Sequence, residues 1–215
     1  MKVAVFSDVH GNLVALERFV RATKDEVDAY VCLGDVVDYG PWNDECLEIV
    51  RQLPGVTILQ GNHERLFQGD EDLKNEPALV QDFFRHSRQF FSRLDLIEGL
   101  PSRCHLDRFE CLHTIDGRSI YPDTPIEIER NYMVGHTHRQ FQVNRSGFVI
   151  VNPGSVGQNR KWIDMVDYSI LDTDSGAVRG QSIRYDVDLL LSEMRGRRYP
   201  EQCIEYYTNK PRRGG

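Results

Sequence analysis

The chain has 215 residues, of which 40% are hydrophobic and 27% are charged, a composition that predicts one folded domain with a single core. A formal net charge of −7 and a pI near 5.5 argue against stable binding of nucleic acid or an anionic membrane through a broad basic surface. No apolar run reaches the roughly 20 residues of a membrane-spanning helix.

The first residues, "MKVAVFSDVHGN", become polar too early for a signal peptide, so we expect a cytoplasmic protein. The five cysteines are scattered without C-x-x-C spacing, which fits reduced structural thiols.

The first 60 residues alternate between strand and helix patterns. The apolar runs "KVAVF", "AYVCL" and "VTILQ" predict strands, and "NLVALERFVRAT" and "NDECLEIVRQL" between them have helical spacing, with Asn12 and Asn43 as expected N-caps. Strand–helix–strand order predicts a parallel sheet, whose ligand sites lie at the carboxyl ends of its strands.

The rest of the chain predicts a helical insertion and then a β-rich half. Residues 64–100 have helical spacing and directly follow the loop after the third predicted strand. We therefore expect them to cover a ligand site at the carboxyl ends of the strands. Strands are expected at "RCHLD", "FECLHT", "YMVGH", "FQVNR", "GFVIVN" and on both sides of "DTDSGA", followed by a short helix over 187–197. We predict one domain over 1–208 and a flexible tail over 209–215.

Metal-ligand residues follow five of the predicted strands. They occur as "DVH", "GDVVD", "GNHE", a lone histidine and "GHTH", which supply Asp8, His10, Asp35, Asp38, Asn62, His63, His113, His136 and His138. Each motif alone is compatible with a turn or a solvated surface, and two histidines at i and i+2 on a strand point to the same side. Together, carboxylates, imidazoles and a carboxamide without thiolates predict a Mn, Fe, Zn or Co site rather than a structural zinc site.

This series of motifs resembles the calcineurin-like metallophosphoesterase superfamily over almost the whole chain. The stretch "VGHTH…VIVNPGSVGQNR" is most similar to the small bacterial and archaeal phosphodiesterase branch. The resemblance implies an α/β fold, a four-layer αββα sandwich that holds two divalent metal ions. Mn²⁺ is the expected metal, with Fe, Zn, Co and Ni as alternatives.

The resemblance also implies a role for each residue. Asp8, His10 and His138 would bind the first ion, Asn62, His113 and His136 the second, and Asp35 would bridge them. A hydroxide shared by the two ions would attack phosphorus in line. His63 would be the general acid, oriented by Asp38.

Departures from the pattern bear on the substrate. Protein Ser/Thr phosphatases and the symmetrical diadenosine tetraphosphate hydrolases carry an arginine where this chain has Tyr39, which weakens the protein-phosphatase interpretation. Arg160 is the expected contact to substrate phosphate, although it could be a solvated charge. We expect hydrolysis of phosphodiesters of small molecules or nucleotides; the alternatives are a phosphomonoesterase, a dinucleoside polyphosphate hydrolase and a non-enzymatic scaffold.

Overall fold

Two five-stranded mixed sheets pack face to face, flanked by helices, in the computed structural model, which describes residues 1–214. The strands are β1 Lys2–Phe6, β2 Ala29–Cys32, β3 Thr57–Ile58, β4 Arg103–Leu106, β5 Phe109–Leu112, β6 Asn131–Val134, β7 Gln140–Arg145, β8 Phe148–Pro153, β9 Met165–Asp172 and β10 Ala177–Arg184. The helices are α1 Leu13–Thr23, α2 Asn43–Gln52, α3 Asn62–Gln68, α4 Ala78–Ser87, α5 Leu94–Ile97, α6 Val187–Gly196 and α7 Glu201–Thr208. The predicted α/β sandwich is confirmed.

The order of strands in the two sheets brings several carboxyl ends together. The first sheet has the order β10-β9-β1-β2-β3, with β1, β2 and β3 parallel as the alternating pattern predicts. The second has the order β4-β5-β6-β8-β7, with β5, β6 and β8 parallel between antiparallel edge strands. Parallel strands end at the same edge, so the polar residues that follow them can meet.

Successive side chains of β1 point to opposite faces of the first sheet, and the strand is apolar on both of them. Val3 and Val5 pack in the core between the two sheets, and Ala4 and Phe6 pack beneath the helices. All four side chains are buried, so β1 lies at the centre of the sandwich.

The outer face of the second sheet is covered by the segment 113–130. Ile115, Ile120 and Ile128 of this segment pack on Val134 and Ile150 of the sheet. Residues 113–130 contain turns and one isolated bridge but no helix, so this layer of the sandwich is irregular.

Several local expectations needed revision. Asn12 caps α1, its Oδ1 accepting a hydrogen bond from the Ala15 amide, but α2 is capped by Trp42 and not by Asn43. The Asn43 side chain instead accepts the Asp38 amide at 2.8 Å, because the loop before the helix needs that acceptor. The helical spacing within 64–100 is divided among α3, α4, α5 and two short 3₁₀ turns, Leu73–Asn75 and Arg88–Phe90.

The predicted tail makes several hydrogen bonds to the domain. The Pro211 carbonyl accepts from the Ile163 amide at 3.0 Å, and the Arg213 amide donates to Asp164 at 2.8 Å. Arg212 forms a bidentate ion pair with Asp188. Gly215 lies outside the described residues, and the flexibility of the tail stays a prediction. Within residues 1–214, no helix is both long and apolar enough to cross a membrane.

Candidate metal centre

The predicted site residues all come together at one rim of the sandwich. Each lies in the loop that follows a strand or opens the helix α3 that comes after β3, so the connection from strand to loop determines its position. Seven are buried and the other two, Asn62 and His136, are half-buried. They form two groups of converging donor atoms and one separate acid pair.

The first ligand group is Asp8, His10 and His138. The Nε2 atoms of His10 and His138 lie 3.1 Å apart, and Asp8 Oδ1 lies 3.9 Å from the first and 3.3 Å from the second. These are the separations of ligands around one cation with bonds of about 2.0–2.2 Å.

The protons of the two imidazoles in the first ligand group lie on the far side of each ring. His10 Nδ1 is bonded to the Val37 carbonyl at 3.1 Å and His138 Nδ1 to the Gln158 carbonyl at 2.8 Å. A carbonyl can only accept, so both Nδ1 atoms carry the proton. Burial lowers the pKa of His10 and of His138 well below the usual range, so both rings are neutral.

Two lone pairs therefore face each other across 3.1 Å with no hydrogen between them, beside a carboxylate oxygen. Asp8 Oδ1 is buried and accepts no hydrogen bond from any described residue. Electron-rich atoms held together in this way repel one another unless a cation lies among them, so the first ligand group fits a divalent metal ion.

The second ligand group is Asp35, Asn62, His113 and His136. His113 Nε2 lies 3.0 Å from Asp35 Oδ2 and 3.1 Å from Asn62 Oδ1, and His136 Nδ1 lies 2.9 Å from the same Asn62 oxygen. His113 Nδ1 donates to the Leu33 carbonyl at 2.9 Å, which again turns Nε2 toward the group. Imidazole, carboxamide and carboxylate donors also fit a divalent ion.

Asp35 lies between the two groups. Its Oδ2 is 3.0 Å from His113 Nε2 and 4.0 Å from His10 Nε2, and it has no well-aligned hydrogen bond among the described residues. Burial alone would raise the pKa of Asp35, but His113 and His63 outweigh it and hold that pKa well below the usual value. A carboxylate in this position can serve both groups.

Protons compete with cations at two of these atoms. Burial opposes protonation of His113, but the Asp35 carboxylate outweighs it and raises the pKa of His113 to about 9. Burial also raises the pKa of Asp8 to about 7. Cation binding must displace these protons, which makes it pH-dependent.

The acid pair His63–Asp38 stands beside the second ligand group. His63 Nδ1 lies 2.8 Å from Asp38 Oδ2, and His63 Nε2 lies 4.0 Å from Asp35 Oδ2. Burial opposes the charge on His63, but Asp35 and the Asp38 hydrogen bond outweigh it and raise the pKa of His63 to about 9. The ring is protonated at neutral pH and can donate a proton.

The insertion supports this acid pair through Ser87 at the end of α4. Ser87 Oγ donates to Asp38 Oδ1 at 2.7 Å, and the Tyr39 amide donates to the same oxygen at 2.6 Å. Asp38 thus has a fixed orientation toward His63. Sequence reasoning did not single out Ser87, because nothing in the local pattern relates it to a residue 49 positions earlier.

Six of the predicted site residues have a left-handed backbone: Asp8, His10, Asp35, Asp38, His136 and His138. Non-glycine residues rarely adopt positive φ, and clusters of them are typical of functional sites. The expectation that "GHTH" continues a strand was wrong, since β6 ends at Val134, His136 lies in a bend and His138 lies in the irregular segment before β7. The bend sends His138 to the first ligand group and His136 to the second.

Glu64 holds the two central loops together and was given no role from the sequence. Its fully buried carboxylate accepts four backbone amides, those of Asp35, Val36 and Val37 at 2.7–3.2 Å and that of Gly61 at 2.8 Å. The only available signal is the spacing of a capping box, with glutamate three residues after the Gly61 N-cap.

Gly61 permits the close contact between these loops. A Cβ atom added at this position would lie 2.1 Å from Asp35 Oδ1. Only glycine can therefore occupy the turn while Asp35 keeps its place.

The two ligand groups open into a cavity of about 420 Å³. The insertion contributes Glu76, Pro77 and Val80 to its wall, which places the start of α4 beside the site. Arg160 also lines the cavity, and its guanidinium donates to the Tyr206 hydroxyl. Arg65 lies outside it and pairs with Glu71 instead.

The two-sheet sandwich with buried cation ligands at one rim defines a metal-binding α/β protein, and comparison with known proteins assigns its family. The family model of calcineurin-like phosphoesterases matches residues 1–144. The chain belongs to that family, whose members are phosphoester hydrolases that use divalent metals.

Relatives share nearly the whole length of the chain. An uncharacterized protein of Methanocaldococcus jannaschii is 26% identical over 93% of this chain and 94% of its own. A metallophosphoesterase from Sphaerobacter thermophilus is 27% identical, with a TM-score of 0.77 over 97% of this chain and 99% of that one. A hypothetical protein from Pyrococcus horikoshii OT3 has a TM-score of 0.83 over 96% of this chain and 97% of that one. Its sequence is 16% identical, so this similarity shows the fold alone.

We expect the affinity for Mn²⁺ to rise with pH. In the metal-free protein, His113 has a pKa of about 9 and Asp8 of about 7, so lowering the pH fills both donor atoms with protons. Raising the pH from about 6 to about 8.5 removes the proton from Asp8 and begins to remove the one on His113, which should strengthen binding by at least tenfold. Isothermal titration calorimetry in buffers of different ionisation enthalpy measures both affinity and proton release. An affinity independent of pH, without proton release, would contradict the assignment.

Removing the Glu64 carboxylate should disturb the centre without removing a ligand. In Glu64→Ala four buried amides lose their acceptor, so the free energy of unfolding should fall by about 3–5 kcal/mol. Because Asp35 is then less well held, metal affinity should fall about 10- to 100-fold. Urea unfolding and metal titration measure the two effects.

Glu71→Ala is the matched control for this change. Glu71 is half-buried and pairs only with Arg65, so its loss should cost at most about 1 kcal/mol and leave metal affinity unaltered. Equal effects of the two substitutions would show that Glu64 has no special role.

Proposed function

We propose that this protein is a dinuclear metal-dependent phosphodiesterase that acts on small molecules or nucleotides. The observation that carries the proposal is the pair of unprotonated His10 and His138 nitrogens facing each other beside Asp8, with a second ligand group joined to them through Asp35. Two divalent cations held there would act as Lewis acids and lower the pKa of bound water.

The charges of the ligands suit a phosphate substrate. Asp8 and Asp35 supply two negative charges, and the other five ligands are neutral when they bind a cation. Two divalent ions would therefore leave the centre with a net positive charge, which attracts a phosphate. Mn²⁺ is our proposed metal, since imidazole, carboxylate and carboxamide donors accommodate it.

His63 is placed to protonate the leaving oxygen. It is buried, charged at neutral pH and held by Asp38, which Ser87 and the Tyr39 amide orient in turn. In-line attack of water on phosphorus expels an alkoxide, which is a poor leaving group until it gains a proton. The proton moves from His63 Nε2 to that oxygen as the ester bond breaks.

The preference for a diester is supported by Tyr39. Its ring packs against His10 and His63, with centroids 4.7 and 5.2 Å away, in the position where protein phosphatases carry an arginine. A neutral side chain at this place favours a singly charged diester over a dianionic monoester. Arg160 at the edge of the cavity is our proposed contact to a non-bridging oxygen. We also propose a cytoplasmic location, in keeping with five free cysteines.

The proposal is tested by comparing bis-p-nitrophenyl phosphate with p-nitrophenyl phosphate as substrates of the Mn²⁺-loaded protein. We expect the larger kcat/KM for the diester and its loss by more than about 100-fold in Asp35→Asn. Asp107→Asn is the matched control, because Asp107 has the same left-handed backbone in an exposed turn. If neither ester is hydrolysed, the proposed enzymatic activity is wrong. If the monoester is preferred, the protein is a phosphatase.

The role of His63 is tested by comparing two diesters whose leaving groups differ in their need for a proton. His63→Ala should reduce kcat by about 10²–10⁴-fold for diphenyl phosphate and much less for bis-p-nitrophenyl phosphate, whose leaving group needs no proton. His86→Ala, on α4 with its ring against Tyr199, should reduce neither. An equal loss for both esters in His63→Ala would show that the residue is not the acid.

A further inference from the structure

A second and larger cavity, of about 870 Å³, adjoins the metal centre. His138, Arg139 and Arg160 line both this cavity and the one above the ligand groups, so the two cavities are immediate neighbours. A substrate whose reacting phosphate lies at the metal centre would have to extend past these three side chains to reach the larger cavity.

The larger cavity is strongly cationic in a chain whose net charge is −7. We call it the cationic groove, after Arg139, Arg160, Lys161 and Arg213. Among its lining residues Asp167 is the only carboxylate, and its two oxygens already accept from Ser182 Oγ and Asn159 Nδ2 at 2.6 Å each. No described carboxylate lies within ion-pair distance of the four cations.

Hydrogen bonds anchor the backbone of the two segments that bear Arg160, Lys161 and Arg213. Asn159 Oδ1 accepts the amides of Lys161 and Trp162 at 2.8 and 3.0 Å, which fixes the loop that bears Arg160 and Lys161. Arg213 comes from the C-terminal segment, where its amide donates to Asp164 at 2.8 Å. Unpaired cations on anchored backbone are suited to bind an anion.

We infer that the cationic groove binds a further phosphate on one arm of the substrate. The inference rests on the proposed function, because the metal centre must take the reacting diester. It narrows the substrate class from diesters in general to diesters in which one arm carries a second phosphoryl group, as in a nucleotide with two phosphates. A volume of about 870 Å³ accommodates an arm of that size.

A pair of chromogenic diesters that differ only in the remote phosphate tests the inference. These are the p-nitrophenyl ester of thymidine 5′-phosphate and the same ester with an added 3′-phosphate. We expect the wild-type protein to favour the phosphorylated ester at least tenfold in kcat/KM, and added salt to reduce this preference. Lys161→Ala and Arg213→Ala should each reduce the preference at least fivefold; both side chains are exposed, so the variants should fold.

Arg212→Ala is the matched control. Arg212 is adjacent to Arg213, but its guanidinium pairs with Asp188 and does not line the groove. It should keep the wild-type preference. No preference in the wild-type protein, or an equal preference in all the variants, overturns the inference while leaving the proposed diesterase intact.

A binding measurement separates the inference from the chemistry. Pyrophosphate titrated into the metal-free protein in EDTA should bind, and Arg213→Ala should weaken that binding at least fivefold while Arg212→Ala does not. If no ester is hydrolysed at all, the proposed function fails, and this titration alone tests whether the cationic groove binds an anion. Absence of pyrophosphate binding, or binding unaffected by Arg213→Ala, would then overturn the groove as an anion site.

Discussion

The structure depends on holding unprotonated ligand atoms close together in a buried place. The imidazoles of His10 and His138 direct unprotonated Nε2 atoms at each other because each ring carries its proton on Nδ1 and donates it in a hydrogen bond to a backbone carbonyl. Such an arrangement is unfavourable in the absence of a cation, so the surrounding fold must impose it. The same requirement accounts for the cluster of left-handed residues at the strand ends, where the chain must turn sharply to bring side chains inward.

The surrounding structure keeps this arrangement through contacts that are themselves buried. Glu64 joins the loop after β2 to the turn before α3 through four amides, and Gly61 leaves room for Asp35 to approach. The insertion contributes Ser87, which donates to Asp38, so a segment outside the sandwich helps to position the His63–Asp38 pair. Residues that neither bind metal nor touch substrate thus decide where the reactive groups lie.

The local sequence was sufficient to locate the ligands, because a ligand at a strand end needs only a strand and a turn before it. It was insufficient where a side chain serves a distant partner. Asn43 was expected to cap a helix and instead supports the Asp38 loop, and "GHTH" was expected to extend a strand and instead bends. In both cases a tertiary hydrogen bond or ligand position outweighed local propensity.

The sequence by itself determined the ten strands, the helices α1, α2 and α6, the α/β sandwich and the set of residues at the strand ends, because periodicity and turn residues act over a few positions. The resemblance to a family, and not the local pattern, implied how those residues divide into two ligand groups and an acid pair, and the tertiary structure supplies the distances within each group. Only the tertiary structure decided that Arg213 lies beside Lys161, although 52 positions separate them in the chain. The relevant distances join residues far apart in sequence, and these depend on how the two sheets pack rather than on any local pattern.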